Sequence, residues 1–388
     1  MTLLKGKCEI LGYPLPIMQP TKVTSCTWTP AYPMVFEFHK KKTKNMTEKL
    51  KKLIPEDEME KMNRTNIESL DNYDCILLIE SFEESEMEWL LQIERFSSCF
   101  HDMVQPLPSD MHTLHSNLKI VNRHSCLVFH QSSDCSMEKL EFPITWKRTV
   151  SVISSLLETN PRVMVCGGKG VGKSTFLRYL LNSTLQKCKY IAVLDCDLGQ
   201  PEYTVPGIIS LHILSSQDMS LQPIHLNMRQ PYTSFFIGDV VSKNQPHLVI
   251  QAIQQLLPLY LDLCEKAKEN DETRSSKDPN SRNSFGMLER DHPKKKTAFP
   301  LFVNLDGWIK GMGEEMLSSF IPIVHPSIVV YIRGLKHNEV EPLSRLPKGC
   351  TLMEVDPGTV MPSKIHGVDL RNLRCDIILV VLFWLNIV

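Results

Sequence analysis

Gly167-Gly168-Lys169-Gly170-Val171-Gly172-Lys173-Ser174 satisfies the pattern G-x-x-x-x-G-K-S/T without a mismatch. Glycines at these places let backbone N–H groups turn inward around phosphate oxygens, and the helix start that follows adds a favourable dipole. Lys173 is placed to reach β- and γ-phosphates, and the Ser174 hydroxyl to ligate Mg²⁺, with Thr175 completing the cradle. A second group lies about twenty residues on, in Asp195-Cys196-Asp197-Leu198-Gly199-Gln200. Two carboxylates at i and i+2, at the end of an apolar strand, can share one cleft. One can order the metal while the other accepts a proton from an attacking hydroxyl. The chemistry is Mg²⁺-dependent phosphoryl transfer from a nucleoside triphosphate.

These residues need a strand–loop–helix scaffold, and the flanking sequence supplies it. Val163–Cys166 reads as a buried strand, and Thr175–Leu181 has the apolar spacing of a helix. Tyr190–Leu194, Leu301–Asn304 and Ser327–Ile332 are further strands, alternating with helices around Leu248–Leu263 and over Glu314–Phe320. Apolar strands alternating with helices predict an α/β fold, a P-loop NTPase domain whose parallel sheet is covered on both faces. Its ligands should gather at the carboxyl ends of the strands. Asp306-Gly307 is a competing metal-side candidate. A switch GTPase is disfavoured because Gly follows Asp directly and no Asn-Lys-x-Asp element is evident. The signature-lysine ATPases need their lysine one position earlier than Lys169.

Residues 1–150 read as a mainly β N-terminal domain, with strand-like runs at Cys8–Leu15, Met34–Phe38, Cys75–Ile79 and Cys126–His130. The run Lys40–Lys44, with Lys49, Lys51 and Lys52, is a solvated face or a phosphate contact. The P-loop domain spans 151–335, and 265–296 reads as a disordered insertion because Asn270–Ser281 has no apolar residue. Residues 336–388 read as a short or truncated C-terminal region. The apolar run Ile377–Val388 is too short to span a bilayer, so no membrane role is expected. Lys+Arg 43 against Asp+Glu 44 means that a nucleic acid would be held by a local patch, not by the field of the whole chain. No signal peptide is evident at the N-terminus, and the twelve cysteines include no C-x-x-C pair. This usage suggests a reduced compartment with neither a zinc site nor a disulfide framework.

Asp195-x-Asp197-x-Gly199-Gln200, with Thr204-Val205-Pro206-Gly207-Ile208-Ile209-Ser210 after it, resembles the polynucleotide 5′-hydroxyl kinase family. Asn304-Leu305-Asp306-Gly307-Trp308 is similar to that family's Asn-Thr-x-Gly-Trp segment. Gly6–Gly12 and Cys196–Gln200 resemble its nucleolar, pre-ribosomal-RNA-processing branch. The resemblance implies ATP and Mg²⁺ as cofactors and a 5′-hydroxyl end of RNA, or of DNA, as acceptor. It also implies rRNA-processing protein partners and a nuclear, nucleolar location. Thr204, Gly207 and Ser210 would belong to the clasp on the terminal phosphodiester, and Trp308 would stack on a base or serve as a core aromatic. Asp197 is expected as general base with Gln200 orienting, and Asp195 on the metal side with Ser174, although the two aspartates could exchange roles. Leu305 stands where the family has Thr, and Arg333, Arg345, Arg371 and Arg374 do not form its R-x-x-x-R lid. Turnover is therefore left open, and the alternatives are an ATP-binding scaffold of an rRNA-processing complex or a small-molecule kinase.

Overall fold

The computed structural model describes residues 2–21, 23, 34–37, 75–78, 142–215, 218, 228–275, 298–308, 311–334, 346–358, 371 and 375. The chain divides into two compact units, Met1–Leu140 with Leu221–Pro223, and Glu141–Ser220 with Ile224–Val388. This division falls about ten residues before the expected boundary at 150. The helix Ile144–Ser155 belongs to the second unit, because Trp146, Val150 and Ile153 are buried in that unit's core.

In the first unit every described element is a strand. β1 (Thr2–Lys5) pairs antiparallel with β5 (Ile76–Leu78). β2 (Lys7–Ile10) lies between β3 (Tyr13–Pro14) and β4 (Met34–Glu37). Leu11 and Gly12, both at positive φ (47° and 78°), turn the β2–β3 hairpin. The expected strand Cys126–His130 and the lysine run at 40–52 lie outside the described residues.

The second unit is built on a seven-stranded sheet in the order β12-β11-β6-β10-β7-β8-β9. These strands are β6 (Arg162–Gly167), β7 (Ile191–Asp195), β8 (Ile208–Leu214), β9 (Thr233–Phe236), β10 (Leu301–Asn304), β11 (Ile328–Ile332) and β12 (Thr351–Val355). The helices are α1 (Ile144–Ser155), α2 (Lys173–Thr184), α3 (Pro246–Ser275) and α4 (Met312–Val324). Alternation along β6 explains why Val163–Cys166 is apolar throughout. Met164 and Cys166 join the core shared with α3 and α4, while Val163 and Val165 join the core shared with α1 and α2. Burying each such side chain contributes roughly 1.5–3 kcal/mol.

Two expectations are corrected. The sheet is not wholly parallel: β8 runs antiparallel to β7, and β9 antiparallel to β8. The segment joining β7 to β8 contains no helix, and an antiparallel neighbour requires no helical crossover. Nor does the helix around 248–263 stop where the polar segment begins, since α3 continues to Ser275. Helix-forming residues and the i,i+4 pair Lys266–Asp262 (2.6 Å) carry the helix on beyond its apolar stripe. Residues 276–297 lie outside the described set. No helix among the described residues is long and apolar enough to cross a membrane.

Candidate functional site

The P-loop leaves the carboxyl end of β6 and enters α2 through Gly172, whose φ is +99°. A Cβ here would be strained by that φ and would stand 3.3 Å from the Trp146 ring. Trp146 is fully buried, meets Phe176 edge-on at 5.2 Å between centroids, and donates its Nε1–H to Asp356 O at 2.7 Å. The indole thus fixes the entry of α2 from below. Lys173 is buried, with Nζ 2.8 Å from Gly168 O. Burial draws its ammonium below the ordinary range, and the carboxylates of Asp197 and Asp306 oppose that shift. Gly167, Gly168 and Val171 are buried, Gly172, Ser174 and Thr175 half-buried, and Lys169 and Gly170 form the exposed rim.

Strand order decides which acidic residues stand beside this loop. β10 lies between β6 and β7, with Asn304 opposite Val165 on one side and Asp195 on the other. Asp306-Gly307, not the β7 aspartates, is therefore the immediate neighbour. A Cβ at Gly307 would stand 2.7 Å from Lys169 Cα, so only glycine permits this approach of the two backbones. Asp306 is half-buried and accepts hydrogen bonds from Ser242 Oγ and from Trp308 N–H (3.2 Å).

The two β7 aspartates separate in role. Asp195, expected on the metal side, is fully buried. Its carboxylate accepts from Glu202 N–H at 2.5 Å and Asn304 Nδ2 at 2.9 Å, so it organises the following loop instead of offering an oxygen to the cleft. Burial pushes its carboxyl up to about 7, against the lowering effect of those hydrogen bonds. Asp197 is half-buried, and its Oδ1 accepts from Gly199 N–H (3.0 Å) and Gln200 N–H (2.9 Å). Burial raises its pKa as well, the Asp306 charge adds to the rise, and Lys173 lowers it. The Gln200 side chain is exposed.

The remaining expected residues fall into two groups. Thr204 and Ser210 are buried, and Ser210 Oγ lies 2.9 Å from His212 Nε2 inside the sheet face. The structure therefore does not present these two hydroxyls at the surface. Gly207, at φ +86°, instead bonds to its neighbours through the backbone, donating to Leu198 O and accepting from Ile237 N–H. Trp308 is half-buried and lines a small cavity with Leu305, Met316, Leu317 and Phe320.

Residues 167–275 match the family model described as the mRNA cleavage and polyadenylation factor CLP1 P-loop. Polynucleotide 5′-hydroxyl-kinase NOL9 of Arabidopsis thaliana is 34% identical over 203 residues, covering 52% of this chain and 48% of that protein. The chain is similar to the polynucleotide 5′-hydroxyl-kinases. Polynucleotide 5′-hydroxyl-kinase grc3 of Schizosaccharomyces pombe is 34% identical over 174 residues, 44% of this chain and 20% of its own length. The kinase NOL9 of Bos taurus is 25% identical over 337 residues, 85% of this chain and 42% of that protein. The chain thus spans under half the length of these kinases. A solved Clp1p–Pcf11p complex overlays with a TM-score of 0.42 at 15% identity, over 62% of this chain and 54% of that one.

The structure brings together Lys173, Asp197 and the P-loop with Asp306, the competing metal-side candidate. It also reveals an ion pair that sequence reasoning missed. Arg178 on α2 and Glu202 after β7 are both buried, with Nε and Oε1 2.6 Å apart. Because Glu202 N–H also holds Asp195, this pair joins the P-loop helix to the aspartate loop. Arg178 does sit on the buried side of a predicted helix, but no spacing in the sequence points to its partner.

Proposed function

We propose that this chain carries the phosphoryl-transfer centre of an ATP-dependent polynucleotide 5′-hydroxyl kinase acting on RNA ends in pre-rRNA processing. The observation carrying the proposal is that Asp197 and Asp306 lie within electrostatic reach of Lys173 at the mouth of a complete P-loop. The residues fit a triphosphate. A Cβ at Gly170 would meet nothing within 4 Å, so the rim is open, and Lys173 lies inside it against Gly168 O. They also fit Mg²⁺, since Ser174 and Asp306 offer the hard oxygen donors that this ion takes. ATP, when bound, supplies the transferable phosphoryl group.

Lys173 and the inward-turned N–H groups stabilise negative charge as it shifts among the phosphate oxygens. Asp197 takes the proton from the 5′-hydroxyl; its carboxylate, raised above the ordinary range, is the stronger base for it. Backbone N–H bonds from Gly199 and Gln200 fix the aspartate in place. The turn at Gly207 lies beside this loop, through its bond to Leu198 O, and lines the approach of the 5′ end to Asp197. The likeness of Cys196–Gln200 to the pre-rRNA branch supports work in the nucleolus alongside rRNA-processing proteins.

The test uses the full chain with Mg²⁺, γ-labelled ATP and oligonucleotides bearing 5′-hydroxyl or 5′-phosphate ends. Label should enter only the 5′-hydroxyl strand, and Lys173→Ala should reduce transfer to background. Wild-type transfer by Lys173→Ala would overturn the proposal.

A further inference from the structure

We infer that Phe236 is a stacking platform for the terminal base of the strand whose 5′ end enters the cleft, an assignment that rests on the kinase reading above. Phe236 ends β9, the edge strand of the sheet, and is 77% exposed, more than any other large apolar side chain among the described residues. Single exposed apolar residues are ordinary on protein surfaces, so exposure alone carries nothing. Its position does.

In register, Phe236 stands opposite Ile208 and Ser234 opposite Ser210, so the ring shares a sheet face with the start of β8, directly after the Gly207 turn. The ring lies directly on that segment's turn: a Cβ at Gly207 would be 3.5 Å from Phe236 Cε2. The chain that follows is fastened to both carboxylate-bearing segments. Val240 O would be 3.2 Å from a Cβ at Gly199, and Ser242 Oγ donates to Asp306. A strand that crosses the Gly207 turn with its 5′-hydroxyl at Asp197 therefore passes this exposed ring.

Trp308, the aromatic expected to stack, is half-buried against the core that contains Met316 and Leu317 and lines a small cavity with them. A flat, solvated π-face beside the approach to Asp197 suits an unpaired base of any identity, because every base has a π-face to stack. This predicts tight engagement of single-stranded ends with little preference for the first base.

The experiment places 2-aminopurine at the first position of a 5′-hydroxyl RNA oligonucleotide and uses the full chain. Binding to the unaltered protein should quench the fluorophore. Phe236→Ala and Phe236→Leu should abolish that quenching and raise KM for the oligonucleotide about tenfold, with KM for ATP unchanged. Phe236→Trp should keep both quenching and KM near the unaltered values. If Phe236→Ala retains quenching and KM, or if Phe236→Leu matches the unaltered protein, the ring is not a stacking platform and the exposed edge of β9 serves another partner. Should the unaltered chain transfer no phosphoryl group yet show quenching that depends on Phe236, the kinase reading fails and the stacking assignment stands.

Discussion

Burial has opposite consequences for the two aspartates that flank Cys196. Asp197 keeps contact with the cleft, so a raised pKa serves proton transfer. Replacing it with Asn leaves acceptors for the Gly199 and Gln200 N–H groups but removes the base. Asp197→Asn should lower kcat by roughly 10²–10⁴-fold with little change in nucleotide affinity, measured by steady-state kinetics and nucleotide titration. Asp195 is wholly enclosed, and its pKa of about 7 is a statement about stability. Between an unfolded value near 3.8 and the folded value near 7, the native chain binds the extra proton. Stability is therefore greatest at the acid end of this window and falls as pH rises through it. The ceiling on that loss is on the order of 4 kcal/mol. Asp195→Asn should remove this contribution to the slope. Asn304 Oδ1 is buried and without a hydrogen-bond partner, so a turned Asn304 amide can accept from the amide introduced by that substitution. Urea denaturation of the metal-free protein from pH 4 to 7 tests this, and identical slopes for the two proteins would contradict it.

At the scale of elements, the site is one joint between α2 and the loop from β7 to β8, and Arg178–Glu202 closes it. Both ions are out of water, so removing one takes away the other's buried counter-charge. Arg178→Met should cost about 3–5 kcal/mol in denaturant unfolding, and the double variant Arg178→Met, Glu202→Leu should recover much of it. Equal losses in the single and double variants would show that the helix, not the pair, carries the energy. This joint also marks the limit of what sequence could show. β6, β7, β10 and β11 were legible because each is a short apolar run buried on both faces, and the P-loop because its spacing is fixed by phosphate geometry. β12 was not, since its burial is slight and its sequence, Thr351–Val355, mixes polar and apolar residues. Nor could sequence rank Asp306 above Asp195. That ranking depends on β10 entering the sheet between β6 and β7, a strand order that no local pattern encodes. Trp146 was missed for a similar reason: it meets Gly172 and Asp356 only after α1 and β12 fold against α2.

For the molecule as a whole, charge is the governing quantity. A net charge of −1 means that the long-range field neither gathers nor repels a polyanion strongly. If the strand is held at its 5′ end, through the turn at Gly207 and the stacking ring, few phosphates are neutralised. Contacts to about three phosphates of a single strand give a slope near −2 in log K against log salt, a roughly fifteenfold loss from 50 to 200 mM. Fluorescence anisotropy of a 5′-hydroxyl oligonucleotide across that range measures it directly. Lengthening the oligonucleotide beyond a few nucleotides should then leave both affinity and slope unchanged, because nothing beyond the end is gripped. A slope steeper than about −4, growing with strand length, would instead require a second basic surface. The run Lys40–Lys44 with Lys49, Lys51 and Lys52 is the candidate the sequence offers. In that event replacing those lysines by serine would return the slope to the shallow value while leaving transfer to a short acceptor intact, which separates end recognition from general attachment to RNA.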